Sequence, residues 1–223
     1  MPNSSSSPNV FELLARRGIN PNHSIDPEPP FDPIAWRLEH YGALLAAEVP
    51  VTFASAQPDH PQVRAWLERH IADPATDPWL VLSGNTGTGK THLAYGVLRH
   101  LVGIAARANR NYRWLVVTHP DLNAMLRPKP DESHTYALDR YLEVDFLILD
   151  DVGAGKGSGF TEENITRLVD YRWSNRLATV YTTNLDADSL EPIVGERVLS
   201  RLADATLVEL DGPDRRFNRE IPA

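Results

Sequence analysis

The chain has 223 residues, 42% of them hydrophobic, and carries a formal net charge of -8. That is enough apolar material for one domain with a real core plus a short extension, without covalent staples. The absence of cysteine excludes disulfides, thiolate zinc sites and cysteine nucleophiles, and the acidic balance argues against a generally basic nucleic-acid surface.

The opening MPNSSSSPN has neither the basic nor the apolar region of a secretory leader, and no apolar run reaches membrane-spanning length, so a soluble cytoplasmic protein is expected. Residues 1–9 cannot offset the entropy of ordering and are expected to be disordered. Val10 to Gly18 reads as a short amphipathic helix, followed by a stiff proline-rich connector through Pro21, Pro27, Pro29, Pro30 and Pro33. Ile34, Leu38, Tyr41 and Leu45 recur at helical spacing, giving an apolar stripe that must meet either the domain or a partner. Residues 10–47 thus form a helical extension for partner docking, with the domain boundary near Glu48 and the main domain over 48–223.

After an irregular VTFASAQPDH and a helix PQVRAWLERHI comes the most informative stretch, WLVLSGNTGTGKTHLAYG. A buried strand, a G-x-x-x-x-G-K-[ST] loop (Gly84, Asn85, Thr86, Gly87, Thr88, Gly89, Lys90, Thr91) and a helix with Leu93, Val97 and Leu101 follow in the order a phosphate-binding loop requires. Glycines let backbone N–H groups converge on a triphosphate, the helix end adds a positive dipole, Lys90 reaches the β/γ oxygens, and Thr91 can ligate Mg²⁺.

YRWLVVT is a second strand, preceded by a run from Arg99 to Arg113 with four arginines, a histidine and no acid. Basic residues beside Tyr112 and Trp114 can hold single-stranded nucleic acid; they equally suit a helix C-terminus and a strand start. HPDLNAMLR and TYALDRYLE read as helices, and the alternation indicates an α/β fold with a parallel sheet. VDFLIL runs into Asp150 and Asp151, a Walker B pattern: Asp150 can hold Mg²⁺ and Asp151 can orient the attacking water. Thr161 is a plausible cap for a helix to about Arg176, a strand Thr179 to Thr183 ends in Asn184, and GERVLSRL and TLVEL form a last helix and strand.

Together GNTGTGKTHLA, LILDDVG, VYTTNL, GERVLSRL and the late GPDRR resemble the AAA+ ATPases of the DnaC/IstB-like family, the replicative-helicase loaders and transposition helper ATPases, over about residues 48 to 218. The resemblance implies a P-loop fold with a five-stranded parallel sheet of order 5-1-4-3-2 flanked by helices, ATP and Mg²⁺ as ligands, and ATPase activity. It further implies a homo-oligomer assembling on single-stranded DNA with a replicative helicase or a transposase. Residue by residue it makes Lys90 and Thr91 the Walker A pair with His92 beside them, Asp150 the metal carboxylate and Asn184 sensor 1. Arg201 becomes the arginine finger given to a neighbour's ATP and Arg216 sensor 2, with Arg197 and Arg215 as alternates. An extra helical element over about His119 to Glu143 would meet DNA or partner subunits. Many relatives carry Glu where Asp151 stands, so slow hydrolysis or a non-hydrolysing adaptor is also consistent. A small-molecule P-loop kinase fits the loop but not GERVLSRL, and the chain offers no arginine-rich lid.

Overall fold

The computed structural model describes residues 10–18, 30–127, 135–155 and 159–214. The chain divides between Asp32 and Pro33 into two compact units. The first contains helix α1 (Val10–Arg16). The second is built on a five-stranded parallel sheet in the order β2-β3-β4-β1-β5, the implied order read from the other edge. Its strands are β1 (Trp79–Gly84), β2 (Trp114–Thr118), β3 (Phe146–Asp150), β4 (Ala178–Thr183) and β5 (Thr206–Leu210).

The central strands β3 and β4 are buried at every position, which is why FLILD and ATVYTT read as continuous runs rather than alternating ones. In β1 the alternation is spatial: Leu80 and Leu82 face one apolar cluster, Trp79 and Val81 the other. Three helices cover the first face: α2 (Pro33–Glu48), α3 (Pro61–Ala72) and α4 (Lys90–Arg107). In α3, Pro61 opens the first turn, where no donor is lost, and Val63, Trp66, Leu67 and His70 form the inward stripe. The second face is covered by α5 (His119–Leu126), α6 (Thr135–Leu142), α7 (Gly159–Ser174), α8 (Ala187–Val194) and α9 (Glu196–Leu202).

Several boundaries differ from those read in the sequence. Helix α2 packs Tyr41 and Leu45 into the first cluster, with Val49 just after it, and belongs to the sheet's unit, so the unit begins at Pro33 rather than near Glu48. Thr161 lies buried inside α7, which starts at Gly159. Helix α8 had no counterpart: Asp186 caps it by accepting the Ser189 N–H at 2.8 Å, and Leu190 and Val194 bury one stripe, but Pro192 within a short acidic segment masks the period. No helix among the described residues is long and apolar enough to cross a membrane.

Candidate functional site

The site gathers where β1, β3 and β4 end, at the carboxyl edge of the sheet. At the last residue of β1, Gly84 has φ +133°, and a Cβ there would stand 2.2 Å from the Leu210 carbonyl oxygen of β5. Only glycine lets the strand turn this close to its neighbour. The loop then leads into α4, whose first N–H groups lack intrahelical partners. Lys90, 5% exposed, spans the loop: its Nζ donates to the carbonyls of Gly84 at 2.8 Å and Asn85 at 2.7 Å. Thr88 braces the same loop by donating its hydroxyl to the Asn85 carbonyl at 2.9 Å.

Two oxygen ligands meet beside this loop. The Thr91 hydroxyl lies 3.1 and 3.2 Å from the two carboxylate oxygens of Asp150, which is 8% exposed at the end of β3. Burial raises the Asp150 pKa above the usual carboxylate range; hydrogen bonds from Thr182 and Thr91 oppose the rise, and the neighbouring Asp151 charge adds to it. This pair fits Mg²⁺, which favours hard oxygen ligands and takes few of them from protein when phosphates and water supply the rest. No cluster of three or more His, Cys, Asp or Glu that could hold a metal ion occurs among the described residues.

Asp151 sits in the left-handed region at φ +54°, its carboxylate 3.5 Å from the Asn184 Nδ2. Both residues line an open cavity of about 770 Å³ with Thr86, Gly87, Gly89, Lys90, Thr91 and His92. Of the other predicted residues, Gly84 and Asn85 accept from Lys90, Thr88 donates to Asn85, and Asp150 meets Thr91. Part of the lining was missed in the sequence: Thr52, Phe53 and Ser55, from the segment read as irregular, also line the cavity. Phe53 stacks on Tyr95 at 4.8 Å and meets the His92 ring edge-on at 6.4 Å. The segment reaches α4 because Gly96 lacks a side chain; a Cβ there would fall 2.4 Å from the backbone of Gln57. A glycine in the middle of a helix was the available signal.

The α9 arginines are not brought to this cavity. Arg201 stacks over the Trp173 ring at 4.0 Å and reaches Asp170 at 3.4 Å, while Arg197 pairs with the same carboxylate at 2.6 Å. Arg215 and Arg216 lie outside the described residues. Arg107 is the last residue of α4 and Arg110 follows just after it, about 27 Å of helix away from the loop at 1.5 Å per residue over 18 residues.

The family model described as IstB-like ATP binding protein matches residues 66–210. Among named relatives, the replicative helicase loader DnaC of Buchnera aphidicola is 30% identical over 126 residues, 55% of this chain and 49% of the relative. The replicative helicase loader DnaC of Escherichia coli K12 is 29% identical over 125 residues, with the same coverage of 55% and 49%. The chain thus spans about half the length of the curated relatives it matches. Among solved structures, a DnaC helicase loader superposes with a TM-score of 0.60 at 22% identity, covering 73% of this chain and 100% of that one, which supports the fold.

Proposed function

The chain belongs to the IstB-like ATP binding protein family, and from that premise we propose that it binds ATP with Mg²⁺, hydrolyses it slowly, and acts as a loader-type ATPase for a replicative helicase on single-stranded DNA. The observation that carries the nucleotide reading is that Lys90 and Thr91 line the cavity, with Asp150 in contact with the Thr91 hydroxyl. Lys90 and the start of α4 would hold the phosphates, and Thr91 with Asp150 would hold the metal, which when bound neutralises charge on the transferring phosphoryl group. Asp151 orients the attacking water, with the adjacent Asn184 keeping that carboxylate and the water in register. Its side chain is one methylene shorter than glutamate, which argues for slow turnover.

The partner reading rests on the named relatives. Arg201 is offered to a neighbouring subunit's ATP and Arg216 to the subunit's own, so activity requires assembly. Residues 10–47 dock the helicase: α2 spends Tyr41 and Leu45 on the domain, while Phe31, Ile34, Trp36 and Leu38 stay exposed, as does Leu13 of α1. The family description also favours a second reading, a transposition helper ATPase. Affinity purification separates them, since a hexameric helicase or a transposase would be recovered.

The nucleotide site is tested with a fluorescent ATP analogue and phosphate release. Lys90→Ala should lose tight binding, and Asp150→Asn should keep most binding while losing hydrolysis. Wild-type affinity in Lys90→Ala would sink the assignment.

A further inference from the structure

Thr182 is fully buried in β4, between Tyr181 and Thr183, opposite Leu82 of β1. Its neighbours in the sheet are apolar strands, where valine has the same shape and a higher strand preference. The hydroxyl therefore needs a reason, and it has two partners. It accepts the N–H of Asp151 at 2.9 Å and lies 2.5 Å from Oδ1 of Asp150. The direction of both bonds is fixed by chemistry: a backbone N–H can only donate, so the single hydroxyl proton goes to the carboxylate. The Thr182 carbonyl adds a third tie by accepting the Val152 N–H at 2.8 Å.

We propose that Thr182 is a positioning residue for the metal-binding carboxylate: its hydroxyl fixes the rotation of the Asp150 side chain and so selects the oxygen that faces Mg²⁺. The inference rests on the nucleotide reading above and deepens it. Asp150 is held at Oδ1 from the β4 side, and Thr91 approaches both oxygens from the loop side. With Oδ1 held from β4, Oδ2 is left facing Thr91, the other side chain placed to hold a cation. The same hydroxyl ties the turn carrying Asp151 to the strand that ends just before Asn184, so the carboxylate, the water-orienting residue and the amide share one anchor. Groups that hydrogen-bond a metal ligand from behind commonly control metal affinity by about 10- to 100-fold.

The alternative is that Thr182 merely satisfies the Asp151 N–H, a structural role that would cost stability without touching the metal. Three forms of the full chain separate these: wild type, Thr182→Val and Thr182→Ser. Binding of a fluorescent ATP analogue is titrated with Mg²⁺, Mn²⁺ binding is followed by electron paramagnetic resonance in the presence of nucleotide, and kcat and KM are measured at saturating metal. Thr182→Val should raise the half-saturating Mg²⁺ and Mn²⁺ concentrations about 10-fold or more, leave nucleotide binding in EDTA unchanged, and lower kcat more than it raises KM. Thr182→Ser should restore the metal dependence. If Thr182→Val does not fold, Thr182→Ala, which leaves room for a water on the Asp151 N–H, carries the same expectation. A valine or alanine variant with wild-type metal dependence overturns the proposal whatever its stability. A wild-type chain that binds no nucleotide overturns the reading beneath it instead, and that result is read separately.

Discussion

Arg172 offers the sharpest test of what holds the second layer together. It lies in α7 with no exposed surface, and no carboxylate is among its partners. Its Nη1 donates to the carbonyls of Tyr141, Leu142 and Val144 at 3.0, 3.1 and 3.0 Å, where α6 ends with unpaired acceptors. Its Nη2 donates to the Ala178 carbonyl at 2.6 Å and its Nε to the Thr179 hydroxyl at 2.8 Å. Burial pulls the guanidinium pKa down to about 10, so the group stays charged at neutral pH. Each charged hydrogen bond is worth about 1.5–3 kcal/mol, but stripping water from a guanidinium costs several kcal/mol. Removing the side chain leaves buried carbonyls without a donor at about 1–3 kcal/mol each, and with two of the four staying dry the net loss is about 3–5 kcal/mol. Arg172→Met should lose that much in urea unfolding, and about 6–20 °C in Tm at about 2–4 °C per kcal/mol. Arg172→Lys should recover only part, because an ammonium has three protons for five acceptors. An Arg172→Met variant within about 1 kcal/mol of wild type would show that water serves those carbonyls equally well, and the reasoning would fail.

His119 is fully buried, accepts the Gly153 N–H at 3.2 Å on Nδ1, and burial pushes its pKa down to about 4. The unfolded chain, near 6.5, takes up the proton first, so stability is full above pH 6.5 and falls as pH drops toward 4. About 2 kcal/mol should be lost between pH 7 and 5; His119→Asn, which keeps an acceptor, should flatten that limb in thermal melts, and an unchanged acid limb would refute the assignment. Arg201→Ala mixed with Lys90→Ala should regain ATPase activity above either alone if the finger acts in trans, since one supplies the pocket and the other the arginine; assembled mixtures with no gain would count against it. Deleting residues 1–30 should leave Tm within a few degrees, because α2 remains on the domain, yet remove helicase co-purification; retained co-purification would exclude that segment.

The parts legible in the sequence were those whose chemistry constrains neighbouring positions. The phosphate loop needs glycines and a lysine at fixed spacing, and the strand before Asp150 must be apolar throughout, so Lys90, Thr91, Asp150 and the sheet order could all be read or inferred. What the sequence hid depends on side chains meeting across the fold. Thr182 reads as an ordinary strand threonine until β3 is set beside it. Nothing in the sequence marks Arg172 for burial, and only the end of α6 meeting it shows why it is buried. Phe53 lay in a segment with no period, and its role in the cavity wall depends on Gly96 admitting that segment to α4. Arg201 was assigned by resemblance; its stacking on Trp173 and its contact with Asp170 mean that any trans role must compete with partners in its own chain.

That competition has a parallel in the turn after β3. A non-glycine residue at φ +54°, as Asp151 is, carries a backbone cost of roughly 1–2 kcal/mol. Glycine would remove the cost, and asparagine would lessen it. The strain persists because the turn is over-determined: the Asp151 N–H is held by Thr182, the Val152 N–H by the Thr182 carbonyl, and the Val152 carbonyl by the Thr183 hydroxyl at 2.8 Å. Three ties from one strand hold a conformation the residue disfavours alone, and the gain is that the Asp151 carboxylate projects into the cavity beside Asn184 while Asp150 stays against Thr91. Two adjacent carboxylates on a regular strand would point to opposite faces. The left-handed turn puts both at one edge of the sheet, and the hydroxyls of β4 keep them there.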